Sequence, residues 1–359
     1  MNQIKVGIIG ATGMVGQRFI TLLENHPYFK IEALYASARS AGKSYGESVE
    51  GRWKMQTPLS AKIAAMPVYD AADIDAIAKT VDMVFCAVNM PKEEIRVYEE
   101  ALAKAEIPVV SNNSANRMVS DVPMMIPEVN PHHVEVIEQQ KKRLGTKRGF
   151  VAAKPNCSIQ SYVPLLQPLM EFEPTEVFVT TYQAISGAGK TFNEWPEMLD
   201  NIIPFIGGEE EKSEKEPLKI WGKIGENGIV PDSNIKISAQ CLRVPCTDGH
   251  MAATFVRFKK KPTPEQILAK WREYKSLPQE LDLPSAPKQF ITYFEDESHP
   301  QTGVDRMTEN GMGICAGRLR EDPIYDYKFV GLSHNTLRGA AGGAVEVAEL
   351  LFRLGYFDR

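Results

Sequence analysis

Residues 4–16 read IKVGIIGATGMVG, and this stretch decides the fold. Ile4 to Ile9 form a short apolar run suited to a β-strand, ending at Gly10. Met14, Val15, Phe19, Leu22 and Leu23 then recur with helical spacing until His26 and Pro27 break the pattern. Gly10, Gly13 and Gly16 fill the turn between strand and helix. Without Cβ atoms, the backbone N–H groups of such a turn can approach a pyrophosphate, and the helix N-terminus adds about half a positive charge. A glycine triplet alone is weak, but a strand before it and a helix after it make a strong dinucleotide signal. The spacing is GxxGxxG, a relative of the usual fingerprint, and a tight turn without ligand is the bland alternative.

Outward from this turn the βαβ rhythm continues. Ile31 to Ala36 is a second strand, and residues 81–88 (VDMVFCAV) read as a buried parallel strand. Pro91 opens an amphipathic helix to about Glu106, and Ile107 to Val110 is another strand. Asn130 and Pro131 offer an N-cap and first helical position for a helix ending in Lys141, Lys142 and Arg143. The first part is therefore expected to be an α/β Rossmann-like dinucleotide-binding domain. After about residue 155 the strands Glu176 to Gln183, Ala252 to Phe258, Gln289 to Tyr293 and Lys328 to Leu332 predict a second, α+β domain with a mainly antiparallel sheet, which the resemblance given below makes the catalytic and dimerisation domain. Thr263 and Pro264 begin a helix within it. Gly339 to Leu354 is apolar on nearly every side and is expected to pack back on the first domain. The expected division is 1–155 plus 335–359 against 156–334, since 359 residues exceed what one core usually holds.

The end of the second strand distinguishes dinucleotides. An acid there would accept from an NAD ribose, but the sequence runs Ser37, Ala38, Arg39, Ser40 and then Lys43, donors and cations suited to the 2′-phosphate of NADP. Glu32, earlier in the strand, is the competing NAD candidate, and a merely solvated loop is the bland one.

Composition narrows the function. Hydrophobic residues at 43% exclude a disordered chain. The 41 Lys and Arg against 46 Asp and Glu give a net charge of −5, so no bulk positive field exists for nucleic acid or anionic lipid. The basic residues near 141–148 read as a solvated helix end. Five cysteines are too few for a disulfide framework and suit a reducing compartment. With no signal-peptide pattern and no apolar run near the ~20 residues that span a bilayer, a cytoplasmic enzyme is the expectation.

Cys157, in KPNCS at 154–158, stands after a turn and just before a helical pattern carrying Ile159, Val163 and Leu166. A helix N-terminus there would stabilise a thiolate and lower the thiol pKa. Pro164 should bend or shorten that helix. Cys86 and Cys315, in apolar or small-residue segments, read as inert core. His250, with Arg243 seven residues before it, is the histidine best placed for acid–base work, and Arg243 offers a fork for a carboxylate. A metal site from Cys241, Cys246 and His250 lacks a tight Cys pair and a fourth ligand, and no metal is expected. AISGAGKT at 184–191 mimics a nucleotide phosphate loop, but Ala184 replaces its first glycine and Pro196 falls early in the required helix.

Seven ordered motifs resemble the aspartate-semialdehyde dehydrogenase family, most closely its fungal and archaeal branch. They are GATGMVG at 10–16, SNNSANRM at 111–118, KPNCS, YQAISGAG at 182–189, IPFIGGEEEK at 203–212, the segment from Arg243 to His250, and NTLRGAAG at 335–342. The resemblance implies NADP-dependent reductive dephosphorylation of L-aspartyl 4-phosphate to L-aspartate 4-semialdehyde. It makes Cys157 the nucleophile, His250 the acid and base, Gln183 the residue orienting the intermediate and Asn156 part of the oxyanion site. Arg243 and Glu209 would hold the substrate's α-carboxylate and α-amino group, with Glu210 and Glu211 one step away, and Arg117 and Lys212 the phosphate. Gly10, Thr12, Gly13, Met14, Val15, Gly16, Ser37, Arg39, Ser40, Ser186, Gly187 and Asn335 would contact the cofactor. A homodimer or homotetramer formed through the second domain's sheet is implied as well. The rivals are an acyl-CoA reductase such as malonyl-CoA reductase, N-acetylglutamyl-phosphate reductase, and an inactive NADP-binding protein.

Overall fold

The computed structural model describes residues 3–358. Six strands, β1 (Ile4–Ile9), β2 (Phe29–Ala36), β3 (Val68–Asp70), β4 (Met83–Cys86), β5 (Val109–Ser111) and β6 (Val151–Ala153), form one sheet in the order β3-β2-β1-β4-β5-β6. Every neighbouring pair is parallel. This is the doubly wound order, whose direction reverses between β1 and β4, and ligands of such sheets bind in the crevice beyond the carboxyl ends of those strands. Helices α1 (Met14–Leu23), α2 (Lys92–Lys104) and α3 (Ile137–Leu144) connect or flank the strands. The single helix expected from Asn130 to Arg143 is in fact a 3₁₀ turn, Pro131–Val136, running into α3. Asn130 does not cap it. Its side chain accepts from the Ile126 N–H and donates to the Met124 carbonyl and to His133 Nδ1, so no side-chain atom is left to cap a backbone N–H of the turn.

The second sheet contains β7 (Pro174–Gln183), β10 (Lys236–Arg243), β11 (His250–Phe258), β12 (Ile291–Phe294), β13 (Ile314–Glu321) and β14 (Tyr327–Ser333), with a hairpin of β8 (Lys223–Gly225) and β9 (Gly228–Val230) as a separate sheet. Its order is β10-β7-β11-β14-β13-β12. The three central pairings are antiparallel and the two outer ones, β10 with β7 and β13 with β12, are parallel. Burial alternates residue by residue along β7 and β11, the mark of a sheet with one covered face. The covered face packs on Ile159, Val163 and Leu166 and on α5 (Pro264–Glu273), which comes after α4 (Glu209–Ile220) in the chain. Trp271 of α5 is fully buried and donates its indole N–H to the Leu165 carbonyl at 2.8 Å. Truncating it to Ala would cost about 3–5 kcal/mol.

The last helix, α6 (Gly342–Arg353), is buried from Gly342 through Leu351. Its Ala344, Val345, Val347, Ala348 and Leu351 share one core with Val6, Phe19, Phe29 and Phe85 of the first domain, as its apolar circumference requires. His26 closes that contact with a 2.7 Å bond to Glu349. No helix among the described residues is long and apolar enough to cross a membrane.

Candidate active site

The glycine turn meets β4 at the switch point. Gly10 has φ +83°, and a Cβ there would sit 2.2 Å from the Ala87 carbonyl oxygen. A Cβ on Gly16 would sit 2.2 Å from the Gly10 oxygen. Both positions therefore exclude a side chain. Gly13 begins α1 with no side-chain cap, leaving the N–H groups of the first turn for a ligand. Gly10, Thr12 and Gly13 line a crevice together with Ser37 and with Ala87 to Met90. A pyrophosphate fits this donor set. Arg39 is exposed on the turn after Ser37, whereas Ser40 is buried and does not line the crevice; its carbonyl and N–H serve the turn instead. Glu32 pairs with Lys5 and Lys30 on the outer part of β2, which removes it as a ribose acceptor.

A second cleft of about 290 Å³ joins the two halves. It holds Met14 and Val15 of the turn, Asn156 and Cys157, Arg117, Glu209 and Lys212, and Ser186, Gly187 and Asn335. Asn335 accepts from the Gly249 N–H and donates to Ser186 Oγ at 2.8 Å, tying two of these segments together. Gln183, Arg243 and His250 stand behind the wall. Gly187 separates the last two from the cleft, and a Cβ on it would lie 2.9 Å from Arg243 Nη1 and 3.1 Å from His250 Nε2. A side chain at position 187 would press on both groups. Gln183 donates to Glu209 at 3.3 Å and Arg243 donates to the Ala184 carbonyl at 2.7 Å.

Of the three adjacent glutamates, Glu209 alone faces the cleft. It accepts from Asn156 at 2.9 Å and from Lys212 at 2.7 Å, while Glu210 accepts from Gln240 and Glu211 pairs with Lys215. Burial works against the Glu209 carboxylate, but Lys212, Asn156 and Gln183 outweigh it and its pKa lies below the ordinary value.

Cys157 is half-buried and is not activated by a helix. The chain after it forms a four-residue 3₁₀ turn, Ser158–Ser161, then a helical turn Val163–Leu166 with Pro164 in its first turn, and another 3₁₀ turn. So short a stack of peptide dipoles does little, and burial raises the thiol pKa, contrary to the expected lowering. Glu209 adds to the rise, and Lys154, Arg117 and Arg243 oppose it. His133 lies elsewhere, buried against Asn130 and the Gly222 carbonyl.

His250 opens β11 and is fully buried. Burial lowers its pKa to about 3, Arg243 adds to the effect, and Glu209 opposes it. The ring is therefore neutral near pH 7. Its Nδ1 accepts the Ala184 N–H at 3.1 Å, so the proton of the neutral ring sits on Nε2, which has no hydrogen-bond partner and lies against Gly187. In this tautomer His250 holds an unpartnered donor directly behind Gly187 of the cleft wall.

Residues 5–137 match the family model "Semialdehyde dehydrogenase, NAD binding domain" and residues 166–338 match "Semialdehyde dehydrogenase, dimerisation domain". The chain is 43% identical to the aspartate-semialdehyde dehydrogenase of Archaeoglobus fulgidus, covering 97% of this chain and 98% of the relative. It is 42% identical to that of Saccharomyces cerevisiae, with 96% of each covered. The crystal structure of the Candida albicans enzyme with NADP superposes with a TM-score of 0.89 at 38% identity, covering 99% of this chain and 100% of that one.

The chain belongs to the aspartate-semialdehyde dehydrogenase family.

Several residues that build this family member's cleft escape a reading of its motifs. The acidic cluster from Glu209 to Glu216 is a dense charge run in the sequence, and it lies on α4, with Glu209, Ser213, Glu216 and Lys219 buried on one side. Glu216 accepts from Arg117 at 3.0 Å and from the Asn156 N–H at 2.6 Å, joining two functional segments. Lys219 donates to the carbonyls of Arg117, Val119 and Val122. The i, i+3, i+7 and i+10 spacing of 209, 212, 216 and 219 is the signal that could have found them. Similarly, Glu99 of α2 is buried and accepts from Ser111, Asn113 and Asn116, which turns Asn112, Ser114 and Arg117 of the same motif toward the cleft.

Proposed function

We propose that this protein catalyses the NADP-dependent reductive dephosphorylation of L-aspartyl 4-phosphate to L-aspartate 4-semialdehyde, through a thioester on Cys157. The observation that carries this reading is the convergence in one cleft of a single thiol with a carboxylate, Glu209, and the cations Arg117 and Lys212. The Cys157 sulfur attacks the acyl carbon, the C–O bond to phosphate breaks, and phosphate leaves with the electron pair and takes up the thiol proton, departing as the hydrogen phosphate dianion. Arg117 and Lys212 hold that dianion, and Asn156 with the neighbouring backbone receives the oxyanion. NADPH, when bound along the glycine turn with Ser37, Arg39, Ser186, Gly187 and Asn335, supplies the hydride that reduces the thioester carbonyl. His250 Nε2–H donates a hydrogen bond to the developing oxyanion and keeps its proton, and the oxyanion then re-forms the carbonyl as the C–S bond breaks, releasing the aldehyde and the Cys157 sulfur. Gln183 orients the bound group through Glu209, which meets the α-amino group, while Arg243 takes the α-carboxylate.

The half-exposed face of the second sheet, with Phe178, Tyr182, Met251 and Phe255, is the proposed homodimer interface; the Phe178 and Phe255 rings are 5.9 Å apart across it. The division into 1–155 plus 335–359 and 156–334 puts the cofactor turn in one domain and the thiol at the boundary of the other. Five free cysteines suit a cytoplasmic enzyme. The test is NADP reduction by L-aspartate 4-semialdehyde. It should require phosphate or arsenate, and equal or faster turnover of malonyl-CoA with NADPH would favour the acyl-CoA reductase reading instead.

A further inference from the structure

In and behind the thiol cleft the cations are already bonded: Arg117 to Glu216, Lys212 to Glu209 and Arg243 to the Ala184 carbonyl. Arg18 differs. It lines the same cleft from α1, half-buried, yet among the described residues its guanidinium makes no hydrogen bond and no ion pair. Its Nε is shut off from solvent without a partner. Burial lowers the pKa of the group and Asp248 raises it, and a guanidinium stays charged at neutral pH in any case. A planar fork of donors that has lost part of its hydration and is bonded to nothing costs free energy, which an acceptor on a ligand would offset.

The place of Arg18 limits what it can meet. It stands one helical turn after Met14, about 6 Å along the axis, and helical side chains lean back toward the N-terminus. The guanidinium therefore follows the face of α1 that Met14 and Val15 present to the cleft. The facing wall is the 334–340 segment, where Asn335, Thr336, Gly339 and Ala340 line the cleft. His334 registers the same proximity: burial keeps its ring from taking a proton, Asp248 favours the proton, and Arg18 and Arg306 oppose it.

Arg18 does not line the crevice of Gly10, Gly13 and Ser37, where the pyrophosphate fits. The charges of the substrate are met by Glu209, Arg117, Lys212 and Arg243. What remains for the space between α1 and residues 335–340 is the nicotinamide, whose hydride has to reach the acyl carbon on Cys157. The polar handle of that ring is its carboxamide, and a group with donors only can bond the carboxamide oxygen.

We propose that Arg18 is a cofactor-binding residue that donates to the carboxamide oxygen of the nicotinamide and so sets the orientation of the ring toward Cys157. This rests on the proposed hydride transfer to a Cys157 thioester. It gives the unpartnered guanidinium a function and adds a side-chain contact to a cofactor site otherwise made largely of backbone.

The experiment is isothermal titration of the full-length native enzyme, Arg18→Met and Arg18→Gln, each checked for folding by circular dichroism, with NADPH and with 2′-phospho-ADP-ribose, which is the same ligand without its nicotinamide. Arg18→Met should weaken NADPH binding by about ten-fold or more, as loss of a charge-assisted hydrogen bond implies, and leave 2′-phospho-ADP-ribose within about two-fold of native. Unchanged NADPH affinity overturns the proposal, and a raised KM for phosphate or L-aspartate 4-semialdehyde beside it would put Arg18 on the substrate. Equal losses for the two ligands overturn it as well, because the contact would then be to the part they share. Should Arg18→Met not fold, Arg18→Gln decides: its shorter amide should cost NADPH at least about three-fold and spare 2′-phospho-ADP-ribose, and no difference between the two ligands overturns the proposal. Retained turnover in Cys157→Ala would instead break the thioester reading, on which the two binding ratios do not depend.

Discussion

The two halves of the cleft are built by different means. The cofactor half is backbone: Gly10 and Gly16 bring main-chain atoms together where no Cβ fits, and α1 offers uncapped N–H groups. The catalytic half is side chain, a buried set of charges on α4, the 111–117 segment and the KPNC turn that bond to one another before any substrate arrives. Backbone sites tolerate loss of a single side chain, whereas a pre-paired charge network fails when one member goes. Substitutions in the catalytic half should therefore cost far more than those at the cofactor rim.

The largest expected effect is Cys157→Ala, which should lower kcat by at least about 10⁴-fold while leaving NADP affinity, read by fluorescence titration, within about two-fold of native. His250→Gln should come next, at about 10²–10⁴-fold in kcat with small changes in KM, since it removes a hydrogen-bond donor to the oxyanion and no binding contact. Equal losses in kcat and NADP affinity for either variant would erase the distinction between the halves.

Acid offers a third test. His250 and His334 are buried, and burial lowers their pKa values to about 3 and about 4, from an ordinary value near 6.5. Between those limits the unfolded chain binds more protons than the folded one. Stability therefore rises with pH through this window and falls as pH drops below about 6.5. Urea unfolding at pH 5 should show a loss on the order of 2–4 kcal/mol relative to pH 7. Indifference to pH over that range would mean these rings are not held neutral.

Glu216→Gln is expected to raise KM for phosphate by about ten-fold, because Arg117 loses its carboxylate partner and drifts, with KM for NADP little changed. The smallest effect belongs to the backbone half. Arg39→Ala should raise KM for NADP by about ten-fold or less and leave KM for NAD unchanged, whereas matching losses for both cofactors would remove Arg39 from the 2′-phosphate.

The same division governs what could be read from the chain. Three glycines between an apolar strand and an amphipathic helix are local and unambiguous, so the cofactor turn, the parallel sheet and the return of α6 to the first core are legible. Cys157, Arg117, Glu209 and Asn335 stand in dense motifs and meet in the cleft as expected. The hidden features depend on burial, which sequence does not display. The charge run from Glu209 shows Glu209 and Lys212 through a motif, but only tertiary packing turns Glu216 and Lys219 inward. Helical spacing after Cys157 suggests a dipole that the 3₁₀ turns do not provide. Ser40 shares a loop with Arg39 but is turned into the protein by contacts with Ser37 and Ser48.

The central claim is that one thiol, Cys157, carries the acyl group. Its most direct test is a single turnover without phosphate: mixing the enzyme with NADP and L-aspartate 4-semialdehyde, and monitoring NADPH while mass spectrometry maps the acylated peptide. The expected result is a burst of about one NADPH per active site, the acyl group on Cys157 alone, and release on adding phosphate or arsenate. Continuous turnover without a burst, or an acyl group on any other residue, would contradict it.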